Sequence, residues 1–279
     1  MLLAVVLLLA GYAGIALAVI AAFRSVPSWW PYWTAVTVAL VASVVAHYHS
    51  AERLLLRSVG AEIVPRKREP EIHDLLERLA GLAELPAPRL GLVEARVANA
   101  FAVGLTERRS VIAITTALRQ RVTLPELEAV LAHELAHIAN RDAVVMTAAS
   151  VPRTLGTLLV GGEGPGIYLW WVIWPIGLPL WALGTLLKLT ISRYREYVAD
   201  RGSALITGAP EQLMSALQKL SEERPLIPRD DLRQLAPVEA LCIVPNQHRR
   251  LELLMDHPRL EKRLARLAAI ARELGKTPR

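Results

Sequence analysis

Two histidines four residues apart, His133 and His137, enclose a glutamate in the sequence His-Glu-Leu-Ala-His over residues 133–137. Residues i and i+4 lie on one face of an α-helix, so both imidazole rings can reach one metal ion. Glu134 projects to a neighbouring position, where its carboxylate can act on a metal-bound water molecule instead of binding the metal. This pattern is typical of zinc hydrolases.

A catalytic zinc ion usually has three protein ligands and one open position, so a third ligand is needed. Residues 192–200 offer Glu196. Asp200, one helical turn later, could accept the outer N–H of a ligating histidine, which fixes the ring tautomer and raises its basicity. The alternatives remain open at this point: Glu196 could be a solvated helix charge paired with Arg193 or Arg195, and Asp200 a helix-surface acid.

The two histidines need a helix that begins shortly before them. Thr123, with Glu126 three residues later, predicts a capping box, and Pro125 suits the first helical turn. Apolar residues continue at helical spacing to Ile138. The pattern predicts that this helix buries one side while the histidines face a cleft.

Short elements are predicted before that helix. Residues 70–82 have the spacing of an amphipathic helix, and residues 89–93 and 110–115 have the composition of short strands. Residues 99–104 form a third short extended candidate between those strands.

The chain is rich in apolar residues, which make up 53% of its 279 positions. The excess lies in three uncharged blocks, at residues 1–22, 25–46 and 167–187. Each is close to the roughly 20 apolar residues that a membrane-spanning helix needs, and all seven tryptophans fall in the second and third blocks. A cleaved signal peptide is the alternative for residues 1–22. The absence of a positive start and the second block close behind favour a helical hairpin that stays in the membrane.

The distribution of basic residues predicts the orientation of this hairpin. Arg24 is the one basic residue between the first two blocks, whereas several follow residue 50, so the chain after residue 50 is expected in the cytoplasm. If His133 and Glu196 hold one ion, the chain between them crosses the membrane an even number of times. Residues 143–162 are a weaker apolar block that includes Arg153, so this block and residues 167–187 either both cross or both stay out. The tryptophan-rich run favours two crossings.

Charge and cysteine content exclude other classes of protein. The net charge of +6 is explained by basic residues on the cytoplasmic side of a membrane protein, and no nucleic-acid-binding motif is present. Cys242 is the single cysteine, which excludes an internal disulfide. The oligomeric state and the order of residues 225–245 are not determined by the sequence.

Taken together, His-Glu-Leu-Ala-His, the Ser-Arg-x-x-Glu-x-x-Ala-Asp segment and the order of apolar blocks resemble the HtpX-type integral-membrane zinc metalloproteases, relatives of the CAAX prenyl endopeptidases. The resemblance covers most of the chain. It implies one Zn²⁺ per chain, held by His133, His137 and Glu196, with Glu134 as the general base and Asp200 beside the ligands.

The same resemblance implies how a substrate is held. Residues 99–104 look like the family's substrate-binding edge strand, with Asn99, Ala100 and Phe101 as substrate-binding residues, although Val103 stands where the family more often has threonine. His257 and Arg263 are similar to a C-terminal family element that binds substrate or stabilises the oxyanion. There the usual second proline is replaced by Arg259, and His257 could instead flank the C-terminal helix.

The expected fold is α+β and mainly α: a gluzincin-like zinc metalloprotease domain with a small β-sheet, joined to about four transmembrane helices. The expected parts are an N-terminal transmembrane hairpin (1–49), a first metalloprotease part with the motif helix (50–142), a second membrane hairpin (143–190) and a second metalloprotease part with the third ligand (191–279).

The expected function is a zinc endopeptidase of the cell (inner) membrane, multi-pass, with its active site facing the cytoplasm. It would cleave membrane or misfolded proteins in quality control, with protein substrates and the lipid bilayer as partners and no nucleic acid. Two alternatives remain: a regulatory protease that cleaves one signalling protein, and a non-catalytic zinc-binding membrane scaffold. Structural zinc sites usually have four protein ligands, whereas this sequence offers three and a well-placed Glu134, which favours an enzyme.

Overall fold

A computed structural model describes residues 53–104, 106–161, 166–223, 255 and 257–276, together with Val38. Apart from Val38, the predicted hairpin at residues 1–49 lies outside the described residues, and so does the segment 225–245. Residues from Leu55 to Arg279 belong to one compact unit, which contains all the elements described below.

A four-stranded mixed sheet lies in this part of the chain. Its strands are β1 (Glu62–Ile63), β2 (Arg89–Val93), β3 (Ala100–Val103) and β4 (Val111–Thr115), in the order β1-β2-β4-β3. β2 and β4 are parallel, with Leu90 opposite Ile112, whereas β3 runs antiparallel to β4, with Ala102 opposite Ile112. β3 is therefore an edge strand of this sheet, and the three strands expected from the sequence are confirmed to within two residues.

Helices make up most of the remaining described structure, as the sequence predicts. They are α1 (Pro70–Leu82), α2 (Thr116–Arg121), α3 (Leu124–Ala139), α4 (Asp142–Gly161), α5 (Gly166–Thr207), α6 (Pro210–Glu223) and α7 (Leu260–Glu273), with a short 3₁₀ turn at Glu107–Arg109. The expected amphipathic helix at 70–82 is confirmed as α1.

The motif helix α3 begins at the predicted cap. The backbone N–H of Thr123 donates to the Glu126 carboxylate at 2.8 Å, and Pro125 lies in the first turn. The same carboxylate reaches α6, where it accepts from the Ser215 hydroxyl at 2.6 Å and from the Lys219 ammonium at 2.8 Å. These bonds satisfy a carboxylate that is almost fully buried, so the start of α3 is fixed both locally and by a neighbouring helix.

The hydrophobic core surrounds α3. Leu131 and Leu135 of α3 pack in one cluster with residues of the sheet and of α1, α6 and α7, including Leu76, Leu79, Ile112, Leu213 and Leu267. Because α3 is buried on nearly all sides, its polar residues His133 and Glu134 are also inaccessible to bulk solvent, at 0% and 1% exposure.

α4 and the first half of α5 form an antiparallel pair of helices. Gly156 of α4 lies against Trp181 of α5, where an added Cβ would come within 2.4 Å of the Trp181 nitrogen. Gly184 of α5 lies against Arg153, where an added Cβ would come within 2.3 Å of the Arg153 nitrogen. Small residues thus let the two backbones approach closely. Across the described ranges, none of the helices combines the length and apolar character needed to span a membrane.

Candidate metal centre

Three side chains from two helices converge at the middle of α3. The Nε2 atoms of His133 and His137 are 3.2 Å apart. Glu196, carried by α5, places Oε2 at 3.7 Å from His133 Nε2 and Oε1 at 3.6 Å from His137 Nε2. The structure thus brings together the three residues that the sequence suggests as ligands, in a cluster that could hold a metal ion.

The dimensions of this triangle match a tetrahedral zinc site. Zinc–nitrogen and zinc–oxygen bonds of about 2.0–2.1 Å at tetrahedral angles place two ligand atoms about 3.3–3.4 Å apart. Two histidines and one carboxylate are also a usual ligand set for catalytic zinc, in which the fourth position is left for water or substrate. The donor set therefore fits zinc.

The charge of the surrounding side chains agrees with a divalent cation. Six ionisable side chains around the triangle are buried: the carboxylates of Glu134, Asp142, Glu196 and Asp200 and the guanidinium groups of Arg195 and Arg263. With every group ionised, the two arginines leave two negative charges among these six, to be balanced by positive charge on the histidines or by a bound cation. Buried charge is costly without compensation, so the site favours a bound cation.

His133 is held by Asp200, as the sequence suggests. Its Nδ1 atom lies 3.1 Å from Asp200 Oδ1, and Arg263 donates to the two Asp200 oxygens at 2.9 and 2.6 Å. Burial alone would raise the pKa of Asp200, but the Arg263 charge and the His133 bond lower it. Burial likewise opposes protonation of His133, yet its bonds to Asp200 and Glu196 raise its pKa to about 9. These surroundings favour positive charge at this position.

His137 has a partner that the sequence reading missed. Its Nδ1 atom lies 2.5 Å from Asp142 Oδ2, and Arg195 Nε lies 3.0 Å from the same oxygen. Asp142 follows a turn in which Arg141 adopts a positive φ of 54°, and this turn folds the start of α4 back onto α3. No spacing rule for a continuous helix would place residue 142 beside residue 137, so the sequence carried no clear signal for this contact.

The approach of α5 to α3 depends on a glycine. An added Cβ on Gly202 would lie 2.6 Å from the Ala136 Cβ. Gly202 lies on the same helix as Glu196 and Asp200, and Ala136 lies between the two motif histidines. The absence of a side chain at 202 therefore lets Glu196 and Asp200 reach the histidines.

Glu134 and Glu196 are two buried glutamates in contrasting environments. Burial raises the pKa of Glu134. His137, His133 and a backbone hydrogen bond with Ala102 of β3 lower this pKa, but by less than burial raises it. Burial would also raise the pKa of Glu196, but His257, His133 and His137 hold it well below the usual value. Glu196 therefore stays anionic, as a metal ligand must, while Glu134 is more basic, as suits a group that accepts a proton.

The cleft beside the cluster is lined on one side by the end of β3. Ala102 and Val103 of β3 and Gly104 directly after it line this cleft together with Glu134 and His137. Of the expected substrate residues, Ala100 and Phe101 have their side chains buried in the core. Asn99 is also buried, and its N–H donates to Thr115 Oγ1 at 2.9 Å. Contact with the cleft from this strand is therefore made by its last residues.

The two C-terminal candidates are both buried beside the cluster. His257 Nδ1 lies 3.3 Å from Glu196 Oε2, and Arg263 Nη1 lies 3.4 Å from the same oxygen. The Arg263 guanidinium donates two hydrogen bonds to Asp200. Asp200 contacts His133 at Nδ1, whereas the other ring nitrogen, Nε2, faces the candidate metal position. His257 and Arg263 thus both lie at the Glu196 carboxylate, and Arg263 in addition holds the aspartate that contacts His133.

Comparison with known proteins agrees with this geometry. The profile of peptidase family M48 matches residues 66–271. Protease HtpX homolog 2 of Methanosarcina acetivorans is 39% identical over 243 residues, which cover 82% of this chain and 82% of that protein. Protease HtpX homolog of Moorella thermoacetica is 40% identical over 262 residues, which cover 87% of this chain and 86% of that protein.

A solved structure shares the fold. The crystal structure of S. mikatae Ste24p aligns with a TM-score of 0.58 and 19% identity, covering 95% of this chain, which spans 64% of that chain's length. The resemblance to HtpX-type proteases, read from the motifs, is confirmed by the curated relatives. The chain therefore belongs to peptidase family M48 and is a metalloendopeptidase.

Proposed function

We propose that this protein is a zinc-dependent endopeptidase of the cell membrane that cleaves membrane or misfolded proteins at the cytoplasmic face. The observation that carries the proposal is the position of Glu134, which lies between a three-ligand cluster and the last residues of an edge strand. A scaffold that kept zinc for structure would have no use for a buried, basic carboxylate next to an open cleft.

Each residue has a role in the proposed reaction. A zinc ion held by His133, His137 and Glu196 would supply Lewis acidity for the attacking water and the scissile carbonyl. Glu134 accepts the proton of the attacking water and passes it to the leaving amine. The edge strand β3 pairs with an extended substrate through its backbone at Ala102–Gly104. His257, beside Glu196, donates to the oxygen of the tetrahedral intermediate.

The membrane location is supported by the sequence and by one surface. The uncharged blocks at 1–22 and 25–46 have the length of membrane spans. In α5, Leu178, Leu183 and Leu186 expose large apolar side chains, which water-facing helices avoid when such residues cluster. The chain leaves the metal centre along α4 and comes back to it along α5, since Asp142 at the start of α4 contacts Arg195 of α5. Such a return fits the even number of crossings inferred from the ligands.

Substitution of Glu134 by glutamine tests the catalytic part of the proposal. Glu134→Gln should keep zinc near one ion per chain while peptide cleavage falls by about 10²–10⁴-fold, the usual contribution of general-base catalysis to the rate. Glu128→Gln is the matched control on the same helix, where Glu128 pairs with Arg78 on the surface at 2.9 Å. A Glu134→Gln protein that cleaves at the wild-type rate would refute the assigned base.

Proteomics of membranes tests the substrate class. Membranes that contain the active enzyme are compared with membranes that contain the Glu134→Gln form. Many membrane proteins with reduced abundance and new cytoplasmic cleavage ends are expected. One cleaved protein only would favour the regulatory alternative, and cleavage confined to soluble proteins would contradict the proposed membrane substrates.

A further inference from the structure

We propose that Asp142, held by Arg195, positions His137 as a metal ligand, so that each motif histidine has its own aspartate and its own buried arginine. This inference rests on the proposed zinc site. The observation is two series of contacts with the same order of residue types. One runs from His133 to Asp200 to Arg263, and the other from His137 to Asp142 to Arg195. In the second series, Asp142 and Arg195 are residues to which the sequence motifs assign no role beside His137.

The contact determines which nitrogen of His137 is free for the metal. Asp142 Oδ2, 2.5 Å from Nδ1, is placed to accept a hydrogen bond from Nδ1–H, and we assign this tautomer to His137 from the contact. In the neutral ring the lone pair is then on Nε2, which faces His133 Nε2 at 3.2 Å and Glu196 Oε1 at 3.6 Å. Without this constraint, either tautomer is available, and the one that protonates Nε2 cannot bind a metal.

Arg195 places a buried positive charge beside the Asp142 carboxylate. Arg195 and Asp142 are both buried, and Arg195 Nε lies 3.0 Å from the oxygen that also faces His137. Arg195 immediately precedes Glu196 in α5, so one short segment supplies both a metal ligand and the cation that holds the His137 partner. Asp142 is the first residue of α4. The position of His137 is therefore coupled to the point at which α4 leaves the metal centre and α5 returns to it.

A competing explanation is that the Asp142–Arg195 ion pair only joins α4 to α5. Under that explanation, loss of the pair lowers the stability of the fold but leaves the zinc affinity of the folded protein unchanged. Under the proposal, the zinc affinity itself falls, and the two substitutions act through the same histidine. Zinc affinity of the folded full-length chain separates these explanations, whereas protease activity would not.

The test is a double-mutant cycle on the full-length protein, with the zinc Kd measured by chelator competition and folding checked by circular dichroism. Asp142→Asn should weaken zinc binding about 10–100-fold, the usual effect of losing such an outer partner. Arg195→Gln should weaken it less, and the double variant should bind within about twofold of Asp142→Asn alone, because Arg195 acts through Asp142. The absorption spectrum of bound Co²⁺ should shift in Asp142→Asn, which reports the changed ligand geometry. Asp74→Asn, in an exposed ion pair with Arg66, is the matched surface control.

Failure of this proposal can be distinguished from failure of the proposed metal site. His137→Ala should abolish stoichiometric zinc binding, and full zinc retention by that variant would refute the site itself. If His137→Ala loses zinc but folded Asp142→Asn binds with the wild-type Kd, the site stands and the positioning role is overturned. If the losses of zinc affinity in the two single variants add in the double variant, Arg195 does not act through Asp142, and only that part of the proposal is overturned.

Discussion

Arg263 and Asp200 form a two-pronged ion pair that is almost completely removed from solvent: Arg263 Nε and Nη2 lie 2.9 and 2.6 Å from the two Asp200 oxygens. The planar guanidinium matches the carboxylate, so Asp200 is fixed in position and orientation. Because Asp200 also contacts His133 Nδ1 at 3.1 Å, the arginine influences a proposed zinc ligand through one intermediate.

Arg263→Lys should therefore weaken zinc binding about tenfold, since lysine keeps the charge but cannot donate in a fork. The zinc Kd and the separate values of kcat and KM are the measurements. Arg266→Lys, one turn further along α7 where Arg266 stacks on Tyr197, is the matched control. A lower kcat with an unchanged zinc Kd would contradict this expectation and favour a direct role of Arg263 at the oxyanion.

Glu196→Ala should remove the third proposed ligand. The protein should lose stoichiometric zinc in metal analysis after dialysis, because two histidines alone leave the ion with incomplete coordination. Glu222→Ala, at an exposed position of α6, should retain zinc. Full zinc content in Glu196→Ala would show that another residue completes the site.

Gly202→Ala should push α5 away from α3. The new methyl group would meet the Ala136 Cβ at 2.6 Å, and overpacking of this kind costs about 1–3 kcal/mol of stability. Thermal unfolding of the metal-free protein should show a lower midpoint, and zinc should bind more weakly because Glu196 and Asp200 move with α5. Gly81→Ala is the control, since an added Cβ there has no neighbour within 4 Å. An unchanged midpoint and zinc Kd in Gly202→Ala would contradict the proposed close contact.

Glu126 should make stability depend on pH in the acid range. Burial would raise its pKa, but the bonds from Lys219, Ser215 and Thr123 outweigh burial and lower the pKa from 4.5 to about 2. A carboxylate whose pKa is lower in the folded state stabilises the fold above its unfolded pKa, and this contribution is lost as the pH falls from 4.5 to about 2.

Glu126→Gln should thus be less stable than the wild type by roughly 2–3 kcal/mol at pH 7, and the difference should shrink toward pH 2. Denaturant unfolding at several pH values is the measurement. Glu273→Gln is the control, because Glu273 is exposed and pairs with the exposed Arg201 at 3.6 Å. A difference that stayed constant from pH 7 to pH 2 would contradict the ionic origin of the effect.

The features that the sequence predicted correctly are local or periodic. The capping box at Thr123 and Glu126 depends on residues three positions apart, and the shared face of His133 and His137 depends on the helical repeat. Glu196 and Asp200, one helical turn apart, lie beside His133, as expected if zinc needs a third ligand and an outer partner for a histidine. Likewise, the strands and α1 could be read from the alternation and spacing of apolar residues.

Only the tertiary structure decided which distant side chains meet. Asp142 reaches His137 because the chain reverses at Arg141, and Arg263 reaches Asp200 because α7 packs against the same region of α5. The burial of Ala100 and Phe101, which moves the cleft lining to the end of β3, depends on how the sheet lies in the core. The sequence by itself therefore determined the pairing of His133 and His137 with Glu134 beside them, because periodic spacing along one helix sets their positions. The outer contacts that orient the histidines were decided by the packing of separate elements, which periodic spacing does not encode.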